Sequence, residues 1–185
     1  MSPLLLTGIV RLCEALVILY YIFKKFMNFQ VVGCDINQIV PGLYYGGIGS
    51  LAFGIIAFFI IFGVKYLYQV NLIRMIQMPI PETMSERWLH FAVGCIIGPF
   101  TEELVFRGIV YGYFRKWGVT AACLLSTFIF VVLHSHVSMI PVTQIVGGLV
   151  FALSYEYTKM LATPLTIHIL GNSCMLLLSY LPIII

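Results

Sequence analysis

Hydrophobic residues run along this chain in blocks longer and more uniform than a half-buried soluble helix or strand would need. Apolar stretches bounded by charges and prolines fall at Pro3 to Phe23, Leu43 to Val64, Trp88 to Phe114, Val119 to His134, Val142 to Tyr157, and Pro164 to about Ile184. A hydrocarbon layer about 30 Å thick takes about 20 apolar residues per helix, so these blocks predict an all-α, polytopic transmembrane bundle of about six spans. Helices are required because backbone polar groups facing lipid have to be satisfied inside the segment itself. Between the second and third blocks, Lys65 to Met78 mixes apolar residues with Lys65, Gln69, Arg74 and Gln77 and stops at Pro79 and Pro81. That mixture predicts an interfacial helix rather than a span. Small residues at Gly42, Gly46, Gly47, Gly49 and Ser50, and again at Gly147 and Gly148, predict places where helices approach closely. No internal repeat is apparent. The chain reads as one membrane domain, with N-terminal helices and the interfacial segment in residues 1–87 and a helical core in 88–185.

Composition strengthens the membrane reading. The 185 residues are 61% hydrophobic and 9% charged, with a mean hydropathy of +1.04, too few polar groups to cover a soluble surface. The formal charge of +3 is spread along the chain, which leaves no basic face for nucleic acid. Cys13, Cys34, Cys95, Cys123 and Cys174 lie mostly within apolar runs with no C-x-x-C spacing, and read as small apolar fillers. The first block has no basic run before it and Lys24-Lys25 after it, so it reads as a spanning helix rather than a signal peptide. Within it, Arg11 and Glu14 share a helical face and can neutralise each other. Placing Lys24, Lys25, Arg115, Lys116 and Lys159 in the cytoplasm leaves Lys65, Arg74 and Arg87 outside, the arrangement that the positive-inside rule favours. The expected location is a cell membrane, as a multi-pass integral protein of a prokaryote.

Charged residues inside a span are the next signal. Glu102, Glu103 and Arg107 fall within one apolar block, where each charge costs about 2.5 to 3.5 kcal/mol even on the lenient insertion scale. Glu103 and Arg107 are i and i+4 and share a face, whereas Glu102 points about 100° away and stays available. Taken alone, the three are equally well read as a buried ion-pair network that fixes packing. Two further groups shift the balance: His134 closes the fourth block, and His168 and Asn172 share a face of the last one. At about 1.5 Å per residue, Glu103 lies about 20 Å from the turn near Lys116 and His134 about 25 Å. From Lys159, His168 lies about 14 Å and Asn172 about 20 Å along the sixth block. Carboxylates, imidazoles, an amide and a guanidinium thus converge at one depth, the pattern of a functional site. His136, close to Ser138 and Pro141, reads as a loop residue, and His90 as interfacial.

The run Glu102-Glu103-Leu104-Val105-Phe106-Arg107, then Phe130-x-x-x-His134, then His168-x-x-x-Asn172 resembles the three motifs of the CPBP family, the CAAX-processing and bacteriocin-processing (Abi) intramembrane proteases. The resemblance covers Trp88 to Asn172. It implies an all-helical bundle with a polar intramembrane cavity, and proteolysis of a membrane-associated substrate, either a CAAX-type prenylated protein or a bacteriocin or leader peptide. The catalytic set it implies is Glu102, Glu103, Arg107, His134, His168 and Asn172. Glu102 and His134 would hold and deprotonate a water, Arg107 would pair with Glu103, and His168 and Asn172 would donate to the tetrahedral intermediate. Members of the family have been described both as metalloproteases and as metal-independent glutamate-type proteases. With no H-E-x-x-H in the chain, no cofactor is expected, zinc being the disfavoured alternative. The expected partners are the membrane-associated peptide substrate and the lipid bilayer. The alternative reading is a non-catalytic bacteriocin-immunity or secretion accessory protein that uses the same bundle to bind a peptide.

Overall fold

A computed structural model describes residues 2–26, 29–78, 80–134 and 141–180. Its principal elements are six helices: α1 (Pro3–Phe26), α2 (Ile39–Tyr68), α3 (Met84–Trp117), α4 (Val119–His134), α5 (Val142–Thr158) and α6 (Ala162–Tyr180). Among the described residues there is no strand, and the protein is an all-α bundle. By length and apolarity, α1, α2, α3 and α6 can each cross a bilayer. The 16 residues of α4 and 17 of α5 are shorter, about 24 to 26 Å at the helical rise. Outward faces such as Leu16, Phe59 and Leu177 are exposed, and lipid is the solvent that makes such a surface stable. This is a multi-pass membrane protein.

The elements begin and end where local chemistry dictates. Thr83 caps α3, its hydroxyl accepting from the Glu86 N–H at 3.3 Å and donating to the Glu86 carboxylate at 2.9 Å. The interfacial helix expected over Lys65 to Met78 is not what forms. Instead α2 continues through Lys65 to Tyr68, because nothing in Lys65-Tyr66-Leu67-Tyr68 breaks a helix, and ends where Gln69 turns left-handed at φ 58°. Only the single turn Ile73–Ile76 is helical beyond it, and Met78 N–H is held by Ser179 Oγ at 2.8 Å. The last expected span is described as far as Tyr180, and its remainder lies outside the described residues, as does His136.

Successive helices alternate in direction. One end of the bundle gathers the loop after α1, the α3–α4 turn and the α5–α6 turn. There Gly33, at φ 73°, offers its carbonyl to Leu161 N–H at 3.0 Å, and a Cβ on it would stand 2.7 Å from the Lys159 carbonyl. Glu156 binds Arg115 at 2.8 Å, pairs with Lys159, and accepts from Tyr111 Oη at 2.6 Å. The basic residues assigned to one side therefore do share one end. Above it, α2 and α6 run parallel with their backbones close. A Cβ on Gly46 would meet Thr166 Cβ at 2.5 Å, so the small-residue stripe is the contact seam. Gly148 on α5 does the same against Thr127 of α4, at 2.7 Å.

Candidate active site

Two stretches of α3, Ala92–Ile97 and Leu104–Tyr111, are wound with the wider π repeat, and they flank the glutamates. The first has a clear cause. Gly98 N–H reaches back to Val93 rather than to Gly94, and the next residue, Pro99, has no N–H to offer. The Gly94 carbonyl therefore loses both of its ladder donors. Asn172 on α6 supplies the replacement, its Nδ2 donating to Gly94 O at 2.9 Å. One N–H of the Asn172 amide is thus committed to holding α6 against α3, and the other remains.

Glu103 and Arg107 form the sealed floor. Their side chains are 0% and 1% exposed, with Arg107 Nε 3.1 Å from Glu103 Oε2. Arg107 Nη2 donates to the Gly148 carbonyl at 3.1 Å, and its guanidinium lies 5.2 Å from the Phe151 ring and 5.4 Å from the Phe130 ring. Burying one charge without the other would cost several kcal/mol, so the pair fixes α3 against α5. The free Glu103 oxygen, Oε1, takes the Nδ1–H of His168 at 2.8 Å. His168 is clamped further by Phe151, whose ring stacks on it at 4.4 Å and 20°.

His134 is oriented in a matching way. A carbonyl oxygen can only accept, so the 2.7 Å contact of Nδ1 with Phe130 O places a proton on Nδ1. The Phe130 ring also lies against the imidazole, tilted at 32° with centroids 4.3 Å apart. With both Nδ1 atoms occupied, both Nε2 atoms turn to Glu102: His134 Nε2 is 3.2 Å from Oε1 and His168 Nε2 3.7 Å from Oε2. Five of the six residues singled out from the sequence, Glu102, Glu103, Arg107, His134 and His168, thus form one contact network on α3, α4 and α6, while Asn172, one turn beyond His168 on α6, is bound to Gly94 of α3. A further member of the network is Arg11 of α1, which local spacing pairs with Glu14 alone. It does bind Glu14 at 3.1 Å, but its Nη2 also lies 4.0 Å from Glu102 Oε1. Sequence reasoning likewise misses Phe151, Gly94 and Gly148, because an apolar ring and two backbone carbonyls carry no signal in the residue pattern. His90 sits half-buried in the first turns of α3, where its ring lies against Gly94.

A cation bound here would use Glu102 and the two Nε2 atoms. Arg11, 4.0 Å from Glu102 Oε1, already brings one positive charge to that carboxylate.

Residues 84–174 match the family described as type II CAAX prenyl endopeptidase Rce1-like. The membrane-embedded CAAX protease MroQ of Staphylococcus aureus (strain USA300) is 38% identical over 84 residues, 42% of this chain and 34% of that protein. The putative membrane peptidase YdiL of Bacillus subtilis (strain 168) is 29% identical over 96 residues, 51% of this chain and 39% of that protein. The matched segments thus span little more than a third of either relative. No solved structure matches. The matched segment is the one that carries Glu102, Glu103, Arg107, His134, His168 and Asn172, and it is through that segment that the chain is similar to the Rce1-like type II CAAX prenyl endopeptidases.

Proposed function

We propose that the protein is an intramembrane endopeptidase that hydrolyses a peptide bond with a glutamate-activated water, in a membrane-associated substrate such as a CAAX-type prenylated protein or a leader-bearing peptide. The observation that carries this reading is the convergence of two pre-oriented Nε2 atoms on the single carboxylate of Glu102. Glu102 takes a proton from the attacking water, and the new C–O bond sends the carbonyl electron pair onto oxygen. His134 Nε2, 3.2 Å from Glu102, receives that proton and returns it to the leaving nitrogen as the C–N bond breaks. The N–H of Asn172 that Gly94 does not take donates to the tetrahedral oxygen. Glu103 and Arg107 stay paired throughout and hold His168 in register. No metal takes part in this scheme.

The family match over residues 84–174 and the names of the two bacterial relatives support peptidase activity over a purely binding role. The test is direct. The protein, reconstituted in nanodiscs, is mixed with a farnesylated peptide ending in Cys-aliphatic-aliphatic-X and with an unlipidated leader peptide, and products are read by mass spectrometry with and without a strong chelator. Cleavage of either peptide that survives the chelator is expected. No cleavage of either by folded protein would favour the accessory role, and activity lost to the chelator but restored by Zn²⁺ would replace the mechanism.

A further inference from the structure

Arg11 lies outside the family-matched segment, on a helix that the three motifs do not include, yet the fold registers it against the reacting carboxylate. Thr101, 1% exposed and next to Glu102, has its hydroxyl 3.0 Å from both the Arg11 backbone carbonyl and Ile97 O, which share its one proton. A buried side chain thereby fixes the position of α1 at the level of the site. Exposure then shows from which side a substrate arrives. The His168 and Glu102 side chains are 6% and 13% exposed, whereas His134 is 25% and Arg11 37%. A peptide carbonyl reaching Glu102 passes along the side lined by Arg11 and His134.

We infer that Arg11 is a catalytic residue of this site, its Nη2 holding the scissile carbonyl oxygen as that oxygen takes up negative charge. The inference rests on the peptidase reading above. As water attacks, Glu102 gains a proton and becomes neutral while the carbonyl oxygen becomes an oxyanion, so negative charge moves off Glu102. Only a group that gains in this transfer accelerates it. At 4.0 Å, Nη2 is too far from Glu102 Oε1 for a hydrogen bond in the resting site. A carbonyl oxygen arriving beside the pair, at hydrogen-bond distance from Nη2, gives that guanidinium the acceptor it lacks at Glu102. The other donors are partly spent: Asn172 on Gly94, and the Nδ1–H of His168 on Glu103. Arg107 is neutralised by Glu103, which leaves Arg11 as the charge-bearing donor on the open side. Glu14, bound to Nη1, steers the guanidinium.

The bland account is that Arg11 merely neutralises Glu14 in the membrane, and the experiment separates the two. Steady-state cleavage of the farnesylated Cys-aliphatic-aliphatic-X peptide in nanodiscs is compared for wild type, Arg11→Met, Glu14→Gln and the double variant Arg11→Met/Glu14→Met. The expected result is a fall in kcat of about 10² to 10³ for Arg11→Met with KM nearly unchanged. The double variant, which strands no charge, stays as slow, Glu14→Gln is affected far less, and added guanidinium partly restores Arg11→Met. A phosphinate isostere of the same peptide, carrying a charged tetrahedral oxygen, should lose affinity for Arg11→Met by the same factor while the uncleaved peptide does not. Recovery of kcat in the double variant, or equal binding of the phosphinate by Arg11→Met and wild type, overturns the inference. If wild type neither cleaves the peptide nor prefers the phosphinate to it, the peptidase reading fails and takes this one with it. Cleavage that Glu102→Gln abolishes but Arg11→Met leaves intact sinks the role of Arg11 alone.

Discussion

His168 is held from behind by Glu103: its Nδ1–H donates to Glu103 Oε1 at 2.8 Å, which leaves Nε2 directed at Glu102, 3.7 Å away. The two neighbouring glutamates thus have separate duties. Glu103 orients an imidazole and neutralises Arg107, while Glu102 alone stands where water and substrate can reach it. The separation follows from helix geometry, since adjacent residues point to different sides and each finds different neighbours.

The pairing of Glu103 with Arg107 makes a prediction about stability. Arg107→Leu leaves Glu103 as a buried charge without its counterion, and a loss of about 3 to 5 kcal/mol is expected. Glu103→Leu should be comparably damaging. The double variant should lose less than the two single losses added together, because neither charge is then stranded. Unfolding in detergent micelles gives the three values, and strict additivity would show that the 3.1 Å contact carries no coupling.

Glu102→Gln tests the other half of the division. The amide keeps the shape of the side chain but cannot take a proton from water, and the buried pair beneath is untouched. Peptide cleavage should disappear while the melting temperature stays near that of the wild type. Ordinary turnover by folded Glu102→Gln protein would remove Glu102 from the role of base.

Much of this arrangement is legible in the residue pattern alone, and the residues that are not legible share a reason. Charges at Glu102, Glu103 and Arg107 are conspicuous because lipid penalises them, and the i, i+4 spacing alone indicates which two pair. Depth along the helices indicates that His134 and His168 meet them. Partners that are backbone or apolar leave no such trace: the Gly94 and Gly148 carbonyls and the ring of Phe151. Arg11 is visible as a charge, but local spacing assigns it wholly to Glu14, and its approach to Glu102 depends on how α1 and α3 cross. The expected interfacial helix fails for another reason. A polar residue such as Lys65 does not stop a helix, and α2 runs on to Tyr68, ending where Gln69 adopts a left-handed turn.

Asn172→Ala should have two separable effects. Removing the amide leaves the Gly94 carbonyl without its donor in the π-wound part of α3, at a cost of about 1 to 3 kcal/mol in stability. It also removes the remaining N–H offered to the tetrahedral oxygen, so kcat should fall by about 10² to 10³ with KM nearly unchanged. Stability is read from unfolding in detergent, and kinetics from protein shown to be folded at the assay temperature. A rise in KM with kcat intact would make Asn172 a substrate-binding group instead.

The seam between α2 and α6 allows a test away from the chemistry. His168 and Asn172 sit on α6, and α6 is placed by the close approach of α2 at Gly42, Gly46 and Gly49. A methyl group on Gly46 would stand 2.5 Å from Thr166 Cβ and 2.9 Å from the Thr163 carbonyl, and the backbone oxygen cannot move aside without bending α6. Gly46→Ala should therefore cost about 1 to 3 kcal/mol, the usual penalty for overpacking. Because Thr166 lies just before His168, the displaced helix should also slow peptide cleavage. Gly47 is the control: nothing lies within 4 Å of a Cβ there, so Gly47→Ala adds helix propensity without a clash. It should be neutral or slightly stabilising. Melting temperatures and cleavage rates of the two variants measured side by side decide the matter. Equal behaviour of Gly46→Ala and Gly47→Ala would mean that the α2–α6 seam does not set the position of the catalytic helix.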